Sequence, residues 1–242
     1  MTEKITRSDL GGLCTLTLNR PEKLNALDTE LFSQLDAHLG ALEGQTGTIG
    51  CVVLRGAGRA FCAGADLGAI DSTLGAYKPR IIERLGRLPQ PTIVAVHGIC
   101  YTGALELALA CDFIVAEAGT RFADTHGKFG LVGNWGMAQR LPRRIGYPAA
   151  KRMMMTSRTV GADEALGMGL IDDLAEAGGL DALVTSFTGE ILANSWHTNL
   201  ETKKFMRDTD GMGLAQALAH EQYNYPGFAP DYEARVAAFG KK

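Results

Sequence analysis

The chain has 242 residues, of which 46% are hydrophobic and 21% charged, a balance that is ordinary for a globular protein with one large core. Its formal net charge is −3 and no run of Lys or Arg exceeds two residues, which argues against a nucleic-acid-binding protein. The polar first ten residues and the lack of an apolar run of about 20 residues predict neither a secretory signal nor a membrane span, so we expect a cytoplasmic protein.

The first predicted elements are a strand and a helix. Alternating apolar residues over 13–19 predict a strand that ends at Arg20 and Pro21. Asp28 is typical of a helix N-cap, and the apolar residues that follow it have helical spacing as far as Leu42. The continuous apolar run over 49–55 then predicts a strand that is covered on both faces.

The alternation of helix and strand continues to about residue 120. A helix is predicted over about 79–88, a buried strand over 92–98, a short helix over 103–110 and a strand over 113–117. Such alternation is typical of a mostly parallel α/β core.

From Trp135 onward the patterns are mostly helical, and they cover 149–157, 161–169, 180–196 and 213–223. The tail over 223–242 begins with turn residues, ends in a short amphipathic helix and carries aromatic residues that we expect to pack on a partner subunit. We therefore divide the chain into a core over 1–195 and a C-terminal helical region over 196–242.

The five cysteines do not predict a disulfide framework, and the glycine-rich loop over 56–61 does not predict a dinucleotide-binding site. The cysteines are widely spaced and odd in number, so we expect buried thiols in a reducing compartment. The loop matches the first two glycines of a dinucleotide fingerprint, but Phe61 occupies the third position and no helix clearly begins there.

Two stretches of small residues follow buried strands. Ala63, Gly64 and Ala65 would let a ligand approach the backbone, although a tight turn is the simpler interpretation. Gly103 begins a predicted helix, whose first N–H groups are unpaired. The two stretches could converge on one oxyanion. Glu106 lies one helical turn after Gly103, and it is either an acid/base group or an acid favoured by the helix dipole.

Four blocks of the sequence, at 19–31, 52–67, 96–116 and 129–146, resemble the crotonase superfamily of enoyl-CoA hydratases and isomerases in order and spacing. The most specific part is AFCAGADL, followed about forty residues later by HGxxxxGxxE. The resemblance implies an α/β fold, a ββα spiral core with a helical C-terminal region that trimerises. It also implies an acyl-CoA thioester substrate, no separate cofactor and no metal, because coenzyme A is part of the substrate.

The resemblance also implies roles for particular residues. The backbone N–H groups of Ala65 and Gly103 would hold the thioester oxygen, and Glu106 would be the principal acid/base. Lys23 is expected near the phosphates, although a solvated surface lysine is an equal alternative. Trp135 would shape the acyl site. The residues expected around coenzyme A are Lys23, Leu24, Ala26, Ala63, Gly64, Ala65, Asp66 and Leu67.

One position departs from the hydratases of the superfamily, which use a second glutamate. The corresponding position holds His126, which could replace the missing acid, with Asp124 orienting or charging it if the segment stays extended. The alternative is that His126 only bonds to backbone. The resemblance therefore leaves hydration, isomerisation, C–C bond cleavage and thioester hydrolysis open, together with a non-catalytic acyl-CoA-binding protein. It implies a homotrimer or homohexamer, in which Phe239 and Lys241 would reach a neighbour's coenzyme A.

Overall fold

The fold was described from a computed structural model, which covers residues 3–69 and 76–239. The strands in these ranges are β1 (Ile5–Leu10), β2 (Leu13–Leu18), β3 (Cys51–Gly56), β4 (Thr92–Val96), β5 (Ile99–Tyr101), β6 (Phe113–Glu117), β7 (Arg121–Ala123), β8 (Thr159–Gly161) and β9 (Asp173–Ala175). The α-helices are α1 (Thr29–Glu43), α2 (Tyr77–Gly86), α3 (Gly103–Ala108), α4 (Met137–Ile145), α5 (Tyr147–Thr156), α6 (Ala162–Gly167), α7 (Leu180–Ala193), α8 (Trp196–Asp208), α9 (Leu214–Tyr223) and α10 (Tyr232–Phe239).

The main sheet has the strand order β1-β2-β3-β4-β6-β9. Only β1 and β2 pair in an antiparallel manner; the other neighbours are parallel, as the alternation of helix and strand predicts. Every residue of β4 is buried, which fits a sheet covered on both faces. On one face α1 buries its apolar side, and the Asp28 carboxylate caps this helix by accepting the Leu31 N–H at 2.8 Å.

A second sheet of three short strands, in the order β5-β7-β8, was not predicted. Strand β5 runs parallel to β7, so that Tyr101 pairs with Ala123. The pairing brings the turn at Thr102 and Gly103 beside the segment that begins at Asp124. This small sheet therefore positions two parts of the chain that lie more than twenty residues apart in sequence.

Several predicted boundaries were wrong. Helix α2 begins at Tyr77 and ends at Gly86, two residues earlier than predicted at both ends, and α3 ends at Ala108 instead of 110. The helix predicted over 180–196 is divided because Asn194 is extended and Ser195 caps a new helix, α8. Besides the small sheet, strands β1 and β9 were not predicted. No helix begins directly after β3, which agrees with the rejection of a dinucleotide fingerprint.

Trp196, the first residue of α8, anchors the C-terminal helices to the core. A Cβ atom on Gly12 or Gly50 would lie within 2.5 or 2.4 Å of the indole ring, so the ring packs directly on backbone. The helical C-terminal region was predicted correctly, whereas its status as a separate unit over 196–242 stays a prediction. No helix within 3–69 and 76–239 is long and apolar enough to cross a bilayer. The five cysteines are buried free thiols, as expected, and burial raises the pKa of Cys62 to about 12.

Candidate active site

A cavity of about 650 Å³ lies where the two small-residue stretches meet the segment after β7. Seven of the predicted site residues line it: Ala63, Ala65, Leu67, Gly103, Glu106, His126 and Trp135. Tyr101 and Thr102, which precede α3, line it as well. The cavity is large enough for a small-molecule ligand, and its lining contains both apolar side chains and ionisable groups.

The other five predicted site residues, which are Lys23, Leu24, Ala26, Gly64 and Asp66, lie outside the lining of this cavity. Gly64 and Asp66 are sequence neighbours of lining residues, and backbone hydrogen bonds join the segment of the other three to this stretch. The Leu24 carbonyl accepts the Ala63 N–H at 2.9 Å, and Gly64 accepts the Leu27 N–H at 2.8 Å. Lys23 is exposed at the surface, while the Asp66 carboxylate is held by Arg20 and by the Gly68 N–H. Contact of these five residues with a ligand stays a prediction.

The backbone N–H groups of Ala65 and Gly103 come close together at the cavity wall. A Cβ atom on Gly103 would lie 3.2 Å from the Ala65 nitrogen and 2.6 Å from the Trp135 ring. Neither N–H donates a hydrogen bond to any residue within the described ranges. Two unpaired donors on one wall can donate hydrogen bonds to a negatively charged oxygen, and only glycine leaves the space for it at position 103.

Glu106 projects from the first turn of α3 and is only 1% exposed. Its Oε1 atom accepts the backbone N–H groups of Trp135 at 3.0 Å and Met137 at 3.1 Å. These bonds fix the carboxylate and leave Oε2 facing His126. Burial raises the pKa of Glu106, and the two N–H bonds and the nearby imidazole oppose the effect only in part.

His126 begins the short 3-10 helix His126–Phe129, directly after the turn that follows β7. The segment is therefore not extended as expected, yet the contact with Asp124 forms, because the turn folds the ring back. The Nδ1 atom lies 2.7 Å from Asp124 Oδ1, and Nε2 lies 3.7 Å from Glu106 Oε2. Burial disfavours the charged ring, but the bond to Asp124 and the two acidic charges outweigh it and raise the pKa of His126.

The hydroxyl group of Thr102 connects the segment before α3 to the segment after β7. It accepts the Thr125 N–H at 3.0 Å and lies 2.5 Å from the Thr125 hydroxyl. Thr102 has φ of 52° and ψ of −107°, an unfavourable conformation for a β-branched residue. The structure thus holds a strained backbone directly before Gly103, beside the segment that carries His126.

Sequence reasoning missed several residues of the cavity: Lys78, Thr125, Lys128, Phe129, Leu131, Val132, Gly133 and Asn134. Lys78 is buried, with its ammonium group 5.8 Å from the ring centroids of Phe32 and Trp135. These two rings meet edge to face at 5.2 Å, which fixes Trp135 in the wall. The run of apolar and small residues over 129–135 was the available signal for this part of the lining.

The geometry combines unpaired N–H donors, a buried carboxylate and an imidazole around one space. Glu106 is the one carboxylate that lines the cavity within residues 3–69 and 76–239. At 3.7 Å, His126 Nε2 and Glu106 Oε2 are too far apart for a direct hydrogen bond, so both remain available to a ligand or a water molecule. Such a site can stabilise an enolate and move protons at the neighbouring carbon atoms. Groups of three or more His, Cys, Asp or Glu that could bind a metal are absent from this part of the chain.

Comparisons of the sequence and of the fold with known proteins point to one family. The family model for enoyl-CoA hydratase/isomerase matches residues 9–235. The Arabidopsis thaliana protein named "Probable enoyl-CoA hydratase 1, peroxisomal" is 33% identical over 89% of this chain and 83% of its own length. The 1,2-epoxyphenylacetyl-CoA isomerase of Escherichia coli is 37% identical over 66% of this chain and 65% of its own length. The crystal structure of an enoyl-CoA hydratase from Bacillus anthracis superposes with a TM-score of 0.92, at 28% identity, over 98% of this chain and 96% of that chain.

Proposed function

This chain belongs to the enoyl-CoA hydratase/isomerase family, and from that premise we propose that it adds water to the double bond of a 2-enoyl-CoA thioester. Membership makes it an enzyme of this family with the crotonase fold, while the reaction itself is our proposal. The observation that carries it is the 3.7 Å separation between Glu106 Oε2 and His126 Nε2 at the cavity wall. One water molecule can contact both groups at this separation, as hydration requires.

In the proposed reaction Glu106 takes a proton from that water while the water oxygen bonds to the β-carbon. The electrons of the double bond move toward the thioester oxygen, which the N–H groups of Ala65 and Gly103 stabilise. Preorganised donors of this kind are worth about 3–4 kcal/mol each in the transition state. The α-carbon then takes a proton from His126 as the thioester carbonyl forms again. Trp135 packs against Gly103 and limits the space for the acyl group.

A second candidate is double-bond isomerisation. Glu106 is the one carboxylate that the described part of the chain contributes to the cavity, and a single base can move a proton between the α- and γ-carbons. The family model, whose description includes isomerases, is compatible with this alternative. Cleavage of a C–C bond, thioester hydrolysis and non-catalytic acyl-CoA binding are the further alternatives.

The test is turnover of a panel of coenzyme A esters. Loss of the conjugated thioester absorbance of a short 2-enoyl-CoA is expected if hydration is correct. Turnover of 3-enoyl-CoA alone would favour isomerisation, and turnover of β-ketoacyl- or β-hydroxyacyl-CoA alone would favour another reaction of the superfamily. A protein that binds these esters and converts none of them would contradict the enzymatic proposal for these substrates.

Replacing Glu106 with Gln should keep coenzyme A binding and reduce kcat by at least about 100-fold, because the amide cannot accept a proton from water. Steady-state kinetics with the substrate identified above give the measurement. Glu164→Gln is the control, since Glu164 pairs with Arg158 outside the cavity and should leave kcat unchanged. Unchanged kinetics in Glu106→Gln would remove Glu106 from the mechanism.

The same proposal includes the surroundings of the substrate. Lys23, Leu24, Ala26, Ala63, Gly64, Asp66 and Leu67 are proposed to contact coenzyme A, with no separate cofactor and no metal. We propose a homotrimer or homohexamer in the cytoplasm, without a nucleic-acid or membrane partner. Phe239 is exposed at the end of α10 and is available to a neighbouring subunit, whereas Lys241 lies outside the described residues.

A further inference from the structure

We propose that Asp124 is a positioning residue that orients His126 with an Nε2–H group facing Glu106 and keeps its ring cationic, so that His126 serves as the acid and Glu106 as the base. This inference rests on the proposed function and assigns opposite proton-transfer roles to the two groups. Asp124 itself does not line the cavity, and it therefore acts through His126.

The first support is the geometry of the Asp124 carboxylate. It is 2% exposed, and its Oδ1 atom accepts the His126 backbone N–H at 3.1 Å and faces Nδ1 of the ring at 2.7 Å. A carboxylate can only accept, so Nδ1 must carry a hydrogen. The ring cannot rotate freely either, because a Cβ atom on Gly133 would lie 2.6 Å from its Cε1 atom. The Nε2 atom is consequently held toward Glu106.

The second support is the charge around the ring. The acidic groups that face it are Asp124 on its own segment and Glu106 on α3, and both favour an imidazolium. The other charged side chains that line the cavity are Lys78 from α2 and Lys128, which follows His126 in the same 3-10 helix and is exposed to solvent. Burial lowers the pKa of His126, but the acidic groups raise it by more, so that the net shift is upward. Most of the upward effect comes from Asp124. A neutral partner at position 124 would remove that contribution.

The division of roles fixes the path of the protons. In the forward reaction the water proton passes to Glu106 while the water oxygen bonds to the β-carbon. The proton on Nε2 of His126 passes to the α-carbon as the enolate electrons form the new C–H bond. Glu106 then returns its proton to His126 by way of solvent, which restores both groups. A neutral His126 with its one hydrogen on Nδ1 has no proton on Nε2 to give to the α-carbon.

The test replaces Asp124 with Asn, which has nearly the same shape and no charge. We expect kcat to fall by at least about 10-fold with little change in KM, because the side chain touches the ring and not the substrate. Activity that requires His126 protonated is lost as pH rises through its pKa, so the alkaline limb of the profile should move to lower pH. Asp112→Asn is the matched control: Asp112 also bonds a backbone N–H, that of Thr92, but lies outside the cavity, and the limb should not move.

Two further measurements separate this role from a purely structural one. Asp124→Asn in a His126→Gln background should cause no further loss of kcat, whereas a structural role predicts the same loss in both backgrounds. Titration of ¹³C-labelled histidine, assigned with His126→Gln, should show His126 titrating at lower pH in Asp124→Asn. An unchanged titration or an equal loss in both backgrounds would overturn the proposal. The wild type could convert no ester while Asp124→Asn still lowers the pH at which His126 titrates. In that case the proposed function fails and the effect of Asp124 on the ring stands.

Discussion

At the scale of single residues, Glu106 combines burial with two backbone hydrogen bonds to one of its oxygen atoms. Burial disfavours the charged form and raises the pKa of Glu106, so the folded protein binds this proton more tightly than the unfolded chain does. The free energy of unfolding therefore falls as pH rises from the unfolded pKa through the raised folded pKa. A buried carboxylate at this position therefore reduces stability near neutral pH.

We accordingly expect Glu106→Gln to melt at a higher temperature than the wild type, by about 2–4 °C for each kcal/mol gained. The amide oxygen can still accept both N–H groups, while the buried charge is gone. The difference should be largest above the folded pKa of Glu106 and should disappear below its unfolded pKa. Thermal unfolding of both proteins across pH is the measurement. A variant less stable than the wild type at every pH would show that the charge is a net stabilising interaction.

At the scale of elements, the small sheet β5-β7-β8 sets the distance between the two sides of the site. Backbone pairing between Tyr101 and Ala123 aligns the segments, and the Thr102 hydroxyl continues the contact to Thr125 beyond the end of the strands. The small sheet and the contact between Thr102 and Thr125 thus join the segment that carries Gly103 and Glu106 to the segment that carries His126.

Thr102→Val tests this contact, since valine keeps the branched shape without the hydroxyl. We expect a loss of about 1–3 kcal/mol in the free energy of unfolding, because the Thr125 N–H loses its acceptor. We also expect kcat to fall at least about 10-fold as the two segments move apart. Thr102→Ser keeps the hydroxyl and should retain most of the free energy of unfolding and most of kcat. Urea denaturation and steady-state kinetics decide the matter, and wild-type values in Thr102→Val would refute the coupling.

The main sheet could be predicted from sequence because β2, β3, β4 and β6 have strong apolar patterns. The small sheet could not, since strands of three residues are too short to show a period. Within the site, Glu106 was conspicuous as a carboxylate in an apolar helix, and Gly103 was placed by its distance from it. The contact of His126 with Asp124 was foreseen for an extended segment, but it forms through a turn instead. Lys78 gave no signal, because only the fold brings α2 beside Trp135.

At the scale of the whole molecule, the helices that follow Trp196 leave many apolar side chains exposed. The most exposed of them are Met206, Leu214, Tyr223, Tyr225, Phe228 and Phe239. A monomer rarely leaves so much apolar surface in contact with water, so this region is the expected site of subunit contact. Phe228 and Tyr232 already stack on each other within the chain at 4.3 Å, which makes the remaining residues better tests of assembly.

If the proposed homotrimer or homohexamer forms, light scattering should give a mass three or six times the 25.8 kDa of one chain. Tyr223→Asp, at a side chain that is 90% exposed, should lower that mass without loss of helical signal. Leu10→Asp on β1 is the control, because Leu10 is 83% exposed and lies on the edge strand of the main sheet. A wild-type protein that runs as a single chain would contradict the assembly.

The two N–H groups at Ala65 and Gly103 belong to the backbone, whereas the proposed acid and base, His126 and Glu106, are side chains. Any substitution can alter the second set, but only proline would remove one of the N–H groups. In the proposed mechanism a backbone frame therefore holds the thioester oxygen, and the two proton carriers are Glu106 on α3 and His126 in the segment 124–135. Laboratory evolution toward new reactions on thioesters should therefore begin with libraries in that single segment, and leave the frame intact.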